Sequence, residues 1–157
     1  MGKLRKAPRP SNKFGLDQAL TSMSARHIEL RIDSNPANLA AVRKAVESFA
    51  QASGFDDKAI GDIGLCVNET LANVIEHAYR GRTNQPIEIR VEDQNKRLVV
   101  YIRDWGAGID PSALPQQPYD PLTPGGVGLI CIKQLMDEVS YKPQPDGMLT
   151  TMVKVRR

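Results

Sequence analysis

The chain has 157 residues, a length that suits a single domain with a complete hydrophobic core. Its 41% apolar and 25% charged residues are typical of a globular protein in water, and no apolar run reaches the length of a membrane-spanning helix. The basic N-terminus is not followed by the apolar stretch of a signal peptide, so we expect a cytoplasmic protein without membrane association. Both cysteines, Cys66 and Cys131, lie in apolar helical patterns, which indicates free thiols in a reducing compartment.

The N-terminal segment is much more basic than the rest of the chain. Residues 1–26 carry six Lys or Arg residues against Asp17, a net charge of +5. Since the whole chain carries +3, residues 27–157 carry −2. This composition predicts a solvated, disordered tail in front of one domain over residues 27–157. Basic tails can also contact nucleic acid or an acidic partner, but direct nucleic-acid binding is not our expectation here.

The first half of the domain predicts one strand followed by two helices. Residues 27–33 alternate between apolar and polar, which is the pattern of a strand with one buried face. Residues 34–54 then place apolar side chains at helical spacing, between a Ser-Asn-Pro start and a final glycine. A second helix starts at Asp56 and ends near Gly81, and its apolar stripe consists of Ile60, Ile63, Val67, Leu71, Val74 and Ala78.

The second half of the domain predicts two strand pairs, separated by a long loop and a helix. The strands are expected over residues 86–92 with 97–105, and over residues 139–143 with 149–157. Between the pairs, the proline-rich residues 106–126 predict a loop long enough to be functional, and residues 127–139 predict a third helix. This order predicts an α+β fold, a two-layer sandwich with a mixed, mostly antiparallel sheet and helices on one face.

Three polar residues stand four apart on the second helix, beside its apolar stripe: Glu69, Asn73 and His77. Helical residues four apart lie on one face, about 5–6 Å from each other, so Glu69 and Asn73 can serve one site. A carboxylate and an amide oxygen suit Mg²⁺, and a carboxylate can instead accept a proton from a hydroxyl group. By itself, the pair is also compatible with an ordinary solvated helix face. We interpret His77 as a structural residue at the rim rather than a catalytic one.

Two glycine-containing motifs follow this column along the chain. In "DWGAG", residues 104–108, Asp104 ends an apolar strand, and Gly106 and Gly108 let a ligand approach the backbone. The carboxylate can accept hydrogen bonds from an amino group, with a simple tight turn as an equal alternative. In "PGGVGL", residues 124–129, glycines lead into the third helix, where backbone N–H groups and the helix dipole favour phosphate. A hinge between loop and helix is the alternative there.

The joint order of these three segments is more specific than any one of them. An E-x-x-x-N helix, a D-x-G-x-G turn and a G-x-G-L turn into a helix resemble the GHKL superfamily, which includes gyrase B, Hsp90, histidine kinases and MutL. "NETLANVIEHAY" and "GVGLICIKQLMDEVSY" are most similar to its small bacterial branch, the RsbW/SpoIIAB-type anti-sigma factor serine/threonine kinases. The resemblance covers roughly residues 28–155 and implies the Bergerat ATP-binding fold.

The resemblance implies a role for each residue that matches a family motif. Glu69 would act as general base on the hydroxyl of a protein substrate, and Asn73 would bind the Mg²⁺ that bridges the ATP phosphates. Asp104 would accept a hydrogen bond from the adenine amino group, near Thr150 of the last strand. The residues closest to the nucleotide would be Gly106 and Gly108 at the base, and Gly126, Val127, Gly128 and Leu129 at the phosphates.

The resemblance also implies ATP and Mg²⁺ as cofactors, and protein partners. These are a STAS-type anti-anti-sigma protein that is phosphorylated, a sigma factor that is bound, and a second copy of the chain in a homodimer. The predicted ATP lid, residues 109–124, commonly carries an arginine in the family, yet no Lys or Arg occurs between Ile109 and Val127. This departure keeps an alternative open: a nucleotide-gated protein-binding module with little or no kinase activity.

A second departure lies in the last strand. The family often opens this strand with Gly-Thr-Thr, whereas Gly147 is followed here by Met148 and Leu149. Threonines occur only at Thr150 and Thr151, so the adenine contact implied for Thr150 depends on where the strand register places it.

Overall fold

The computed structural model describes residues 26–107 and 128–157 of the chain. The basic tail up to residue 25, the predicted lid, and the predicted site residues Gly108, Gly126 and Val127 lie outside the described residues. Within the described part, strands and helices follow one another in the predicted order, so the α+β fold predicted from the sequence is confirmed.

The elements have the following bounds. The strands are β1 (His27–Asp33), β2 (Pro86–Asp93), β3 (Arg97–Asp104), β4 (Glu138–Gln144) and β5 (Gly147–Val155). The helices are α1 (Leu39–Ala52), α2 (Asp57–Asn73) and α3 (Gly128–Leu135), with a short 3₁₀ turn at Pro36–Asn38 and a π-helical turn at Val74–Ala78. The name π turn is used below for Val74–Ala78.

Side-chain caps precede α2 and the 3₁₀ turn, at the residues from which the sequence predicted helix starts. The side chain of Asp56 accepts a hydrogen bond from the backbone N–H of Ala59 at 2.8 Å, which satisfies a free donor in the first turn of α2. Asn35 plays the same role for the 3₁₀ turn, because its side chain accepts from the N–H of Ala37 at 3.0 Å. Pro36 therefore opens this short turn, and α1 itself begins three residues later than Pro36.

The five described strands form one sheet in the order β1-β2-β3-β5-β4. All four pairings between neighbouring strands are antiparallel, in line with the mostly antiparallel sheet expected from the sequence, and the described strands form no parallel pair. Tight turns connect β2 to β3 and β4 to β5, and they use left-handed backbone at Asn95 (φ 71°) and Gly147 (φ 118°). The chain thus places β5 between β3 and β4.

The two faces of the sheet have different chemistry. On one face, alternate strand residues such as Leu30, Ile89 and Ile102 pack with α1 and α2 in a single apolar core, in which each is at most 1% exposed. On the other face, ion pairs join neighbouring strands, for example Arg90 of β2 with Glu29 of β1, and Arg31 of β1 with Glu88 of β2. The helices therefore cover one face of the sheet, as predicted, and Asp104 lies at the end of β3 in the buried layer.

Two predicted helix ends are wrong. The third helix was expected to reach Val139, but α3 ends at Leu135, and Val139 belongs to β4, where it packs against the core. An apolar residue at this position satisfies either a helix stripe or a strand face, so its pattern could not decide between them. The second helix was expected to continue as an α-helix towards Gly81, but it changes to the π turn after Asn73.

Candidate nucleotide-binding site

Glu69 and Asn73 lie in the last turns of α2 and are both half-buried. Since α2 is regular through Asn73, the four-residue spacing places both side chains on one face, as the sequence predicted. Burial raises the pKa of the Glu69 carboxyl above its ordinary value of 4.5. A carboxylate with a raised pKa accepts a proton more readily, which is the change that a general base requires.

Glu69 interacts electrostatically with a residue of α3. Burial raises the pKa of the Cys131 thiol on α3, and the nearby carboxylates of Glu69 and Asp62 raise it further. This electrostatic influence links Glu69 of α2 to α3. Because α3 begins at Gly128, Glu69 lies near the helix whose first turn contains the predicted phosphate-binding residues Gly128 and Leu129.

His77, the third member of the predicted polar column, lies in the π turn. The hydrogen bonds of this turn span five residues, as shown by the N–H of Tyr79 donating to the carbonyl of Val74 at 2.9 Å. This wider turn changes the helical register at His77, which lies beyond the regular part of α2. The His77 side chain is 42% exposed, which fits the interpretation of a rim residue.

Asp104 is the last residue of β3 and is only 2% exposed. Its Oδ1 accepts a hydrogen bond from the backbone N–H of Gly106 at 2.9 Å, which fixes the carboxylate in one orientation. Burial raises the pKa of Asp104, while hydrogen bonds from the backbone of Gly106 and Met148 and the charge of Arg103 oppose that rise. A carboxylate offers about four lone pairs, so capacity for a further donor remains.

Gly106 has a packing role that the sequence did not reveal. A Cβ atom at this position would lie 2.5 Å from the carbonyl oxygen of Ala78 and 2.7 Å from its Cβ. The carbonyl of Ala78 also accepts a hydrogen bond from the N–H of Ala107 at 3.1 Å. The glycine therefore allows the loop after β3 to pack directly on the π turn, in addition to any approach to a ligand.

Tyr79, which the sequence analysis did not single out, makes a second contact between the end of the π turn and the loop after β3. Its side chain is fully buried, and its hydroxyl donates to the carbonyl of Pro86 at 2.5 Å and accepts from the N–H of Trp105 at 2.7 Å. The available signal was a tyrosine directly after the apolar helix stripe, because a buried tyrosine hydroxyl needs a hydrogen-bond partner. The helix of Glu69 and the loop of Asp104 are thus joined at two places.

Thr150 lies close to Asp104 through the register of the sheet. Met148 is paired with Asp104, and Thr150 is paired with Ile102, the inward-facing neighbour of Asp104 on β3. Thr150 is 3% exposed and faces the same buried layer as Ile102. The register therefore places Thr150 beside Asp104. This holds even though the threonines of β5 occur later in the strand than in the family pattern.

The described residues fit an ATP site in which Mg²⁺ is held mainly by the nucleotide. Among them there is no group of three or more His, Cys, Asp or Glu side chains able to hold a metal by themselves. Asn73 supplies one amide oxygen beside Glu69, and Mg²⁺ usually takes one or two protein ligands together with phosphate oxygens and water. The donor set is therefore suited to a metal that arrives with phosphate.

A separate groove of about 400 Å³ lies on the opposite face of the sheet. Its lining includes Glu29, Arg90 and Tyr101, and within the described residues it contains none of the predicted site residues. We do not assign the nucleotide to this groove, because its charged side chains already form ion pairs with one another, such as Arg31 with Glu88 at 3.1 Å and Arg90 with Glu92 at 2.6 Å.

The fold and the motif order define the class of protein, a GHKL-type ATP-binding domain. Residues 32–154 match the family described as "Histidine kinase-like ATPase domain", and the chain belongs to this family. The resemblance inferred from the "NETLAN", "DWGAG" and "GVGL" segments is thereby confirmed. Within the described residues, no helix is both long enough and apolar enough to cross a membrane.

The chain is similar to several proteins named "Serine-protein kinase RsbW". It is 30% identical to the one from Bacillus velezensis over 141 residues, which cover 85% of this chain and 88% of that protein. It is also 30% identical to the Bacillus subtilis protein, over 83% and 86% of the two chains, and 29% identical to that of Listeria monocytogenes, over 81% and 85%. All three relatives are thus named as serine-protein kinases and are covered over most of their length.

Two solved structures share the fold. The RsbU and RsbW domains of Rv1364c from Mycobacterium tuberculosis align with a TM-score of 0.61 at 17% identity, over 83% of this chain and 32% of that one. The histidine kinase domain of the blue-light activated histidine kinase EL346 from Erythrobacter litoralis aligns with a TM-score of 0.50 at 20% identity, over 91% and 69%. At these identities the likeness shows the fold alone.

Proposed function

We propose that the chain is an ATP-dependent serine/threonine protein kinase of the anti-sigma factor type, which phosphorylates a STAS-type anti-anti-sigma protein. The observation that carries the proposal is the direct packing of the Asp104 loop on the end of the helix that bears Glu69 and Asn73. This packing holds a buried carboxylate suited to an amino group at a fixed position relative to a carboxylate and an amide suited to phosphate chemistry. ATP presents both chemical groups in one molecule.

The proposed chemistry assigns one task to each side chain. Asp104 accepts a hydrogen bond from the adenine amino group, with Thr150 beside it, and Gly128 and Leu129 lie at the phosphates. Asn73 would hold Mg²⁺, which would supply positive charge to neutralise the phosphate oxygens. Glu69 accepts the proton of the substrate hydroxyl while that oxygen forms a bond to the γ-phosphorus, and the bond from the γ-phosphorus to the ADP oxygen breaks.

The proposal extends to partners and compartment. We propose that the kinase acts in the cytoplasm as a homodimer, that its STAS-type partner presents the serine or threonine, and that it also binds a sigma factor. The names of the relatives, serine-protein kinases, support the phosphorylated residue type. Competition between the two partners would then regulate transcription through the phosphorylation state of the STAS-type protein.

The test is transfer of label from [γ-³²P]ATP to a STAS-domain protein encoded in the same genome, with Mg²⁺ present. We expect the label on a serine or threonine of that protein, and a loss of transfer with Glu69→Gln. Binding of ATP without any transfer to the STAS-domain proteins of the genome would contradict the kinase proposal and leave the nucleotide site intact.

The lid composition favours a second candidate, a nucleotide-gated protein-binding module. No Lys or Arg occurs between Ile109 and Val127, so that segment supplies no cation to stabilise a transferring phosphoryl group. In such a module, Glu69→Gln would leave partner binding and its ATP dependence unchanged, whereas Asp104→Asn would abolish the ATP dependence. Loss of the biological output in both variants would favour the kinase.

A further inference from the structure

We propose that Tyr79 is a positioning residue, whose hydroxyl fixes the Asp104 loop relative to the end of the α2 helix and thereby sets selectivity for adenine. The inference rests on the proposed nucleotide site and adds a residue that does not itself contact the nucleotide. It is carried by the two hydrogen bonds of the Tyr79 hydroxyl and by its complete burial.

The Tyr79 hydroxyl connects three segments of the chain. It donates to the carbonyl of Pro86, the first residue of β2, and accepts from the N–H of Trp105, the first residue after β3. The backbone of Tyr79 itself closes the π turn through its bond to Val74. The hydrogen bonds of this one oxygen atom therefore fix the position of the π turn relative to the start of β2 and to the peptide group that directly follows Asp104.

The bond to Trp105 acts on Asp104 because the two residues share a peptide group. Moving the Trp105 N–H moves the carbonyl carbon of Asp104, and the carboxylate moves with it. The neighbouring contacts reinforce this coupling, since Ala107 donates to Ala78 at 3.1 Å and Gly106 packs on Ala78 without room for a Cβ atom. The loop therefore follows the position of the π turn rather than adjusting independently.

The Tyr79 hydroxyl stays protonated, as the hydrogen bond that it donates to Pro86 requires. Burial raises the pKa of Tyr79 to about 12, so the hydroxyl keeps its proton over the range in which the protein would act. A hydroxyl can donate one hydrogen bond and accept others, which is what Pro86 and Trp105 require. Phenylalanine at this position would fill nearly the same volume and leave both backbone groups without this partner.

Base selectivity separates a positioning role from a purely structural one. Adenine carries an amino group that donates to a carboxylate, whereas guanine carries an oxygen acceptor at the equivalent ring position. A misplaced Asp104 carboxylate would lose affinity for ATP without a matching loss for GTP. General destabilisation would lower the affinity for both nucleotides together, so the ratio of the two affinities reports the position of Asp104.

The experiment compares Tyr79→Phe with Tyr141→Phe and the wild type by calorimetric titration of Mg-ATP and Mg-GTP. Tyr141 is a matched control, because its hydroxyl is buried and has no hydrogen-bond partner within the described residues. We expect Tyr79→Phe to lower the ratio of ATP to GTP affinity by about tenfold, in line with the loss of one charge-assisted contact. Tyr141→Phe should leave the ratio at the wild-type value.

Each outcome decides the inference. A folded Tyr79→Phe protein with the wild-type ratio of affinities would overturn the positioning role while leaving the proposed nucleotide site in place. A wild-type protein that binds neither nucleotide would overturn the proposed function and this inference with it. If Tyr79→Phe does not fold, amide hydrogen exchange on the wild type tests the same contact. We expect a protected Trp105 N–H with and without ATP, and exchange as fast as in an exposed loop would overturn the inference.

Discussion

The carbonyl oxygen of Ala78 occupies the space that a side chain on Gly106 would need, at 2.5 Å from the position of its Cβ atom. Ala78 ends the helix that carries the candidate catalytic residues, and Gly106 lies in the loop that follows the candidate adenine-binding Asp104. The loop after Asp104 and the end of the helix that carries Glu69 are therefore in close van der Waals contact. A substitution in one of these segments is expected to shift the other.

The first prediction concerns Gly106→Ala. The added methyl group would push the loop away from Ala78, so we expect a destabilisation of about 1–3 kcal/mol and a fall in ATP affinity of at least about tenfold. Thermal unfolding and calorimetric titration measure the two effects. Gly61→Ala is the control, because nothing lies within 4 Å of its Cβ position and α2 should gain about 0.5–1 kcal/mol from alanine. Equal behaviour of both variants would contradict the packing argument.

The second prediction concerns Lys154, which anchors the C-terminal end of α3. Its Nζ donates to the carbonyl of Leu135 at 2.5 Å and to Asp62 of α2 at 3.3 Å, and the residue is 8% exposed. Lys154→Met removes a cation from the negative end of the helix dipole, so we expect a loss of about 1–3 kcal/mol in the free energy of unfolding.

Lys58→Met provides the control for Lys154. Lys58 also pairs with Asp62, at 3.1 Å, but its side chain is 83% exposed. Exposed pairs of this kind contribute at most about 0.5 kcal/mol. Urea unfolding of both variants should therefore show a clear loss only for Lys154→Met, and a comparable loss for both would argue against a specific anchor of α3.

The third prediction is a rise in the stability of the ATP-free protein on Asp104→Asn at neutral pH. Burial raises the pKa of Asp104 in the folded state above the ordinary 3.8, so the folded state is penalised once the carboxylate is ionised. Below pH 3.8 both folded and unfolded chains bind the proton, and the penalty disappears. The stability difference should thus be largest at neutral pH and shrink as the pH falls towards 3.8.

Thermal unfolding from pH 4 to pH 8 checks this prediction. Asp146→Asn is the control, since Asp146 pairs with Arg103 at 2.8 Å but is 52% exposed and should change stability by less than about 0.5 kcal/mol. A lower melting temperature for Asp104→Asn at pH 7 would show that its hydrogen bonds outweigh its burial. A gain in stability together with a loss of ATP binding is expected where a buried charged residue is needed to bind a ligand.

The fourth prediction concerns the pH dependence of phosphoryl transfer. A general base must be ionised to accept a proton, so the rate should rise with pH through an apparent pKa above the ordinary 4.5 of glutamate. Glu69→Gln should lower the transfer rate by about a hundredfold or more and remove this rise. Glu76→Gln, at a position whose side chain is 76% exposed, should keep both the rate and the profile. An unchanged profile in Glu69→Gln would exclude Glu69 as the base.

Local patterns were enough to predict the strands and the placement of Glu69 and Asn73 on one helix face. Alternation at Ile28, Leu30 and Ile32 indicated a strand with one buried face, and four-residue spacing brought Glu69 and Asn73 onto one face of a regular helix. Both properties depend on residues close together in the chain, where sequence spacing translates directly into geometry.

The parts that the sequence did not reveal depend on contacts between distant residues. The change to a π turn at Val74 is compatible with the same residues as an α-helix, and its end is fixed by Tyr79 bonding to Trp105, 26 positions away. The packing of Gly106 on Ala78 could likewise not be predicted, because a glycine motif does not indicate which segment of backbone packs against it. The wholly antiparallel sheet follows from β5 pairing with β3, which no local pattern specifies.

Calorimetric titration of Mg-ATP into the wild type, Asp104→Asn and Glu69→Gln tests the central claim most directly. If Asp104 recognises adenine and Glu69 acts only in transfer, the wild type and Glu69→Gln bind ATP with similar affinity, and Asp104→Asn binds about tenfold to a hundredfold more weakly. Equal ATP affinity in the wild type and Asp104→Asn, with both proteins folded, would contradict the assignment of the nucleotide site.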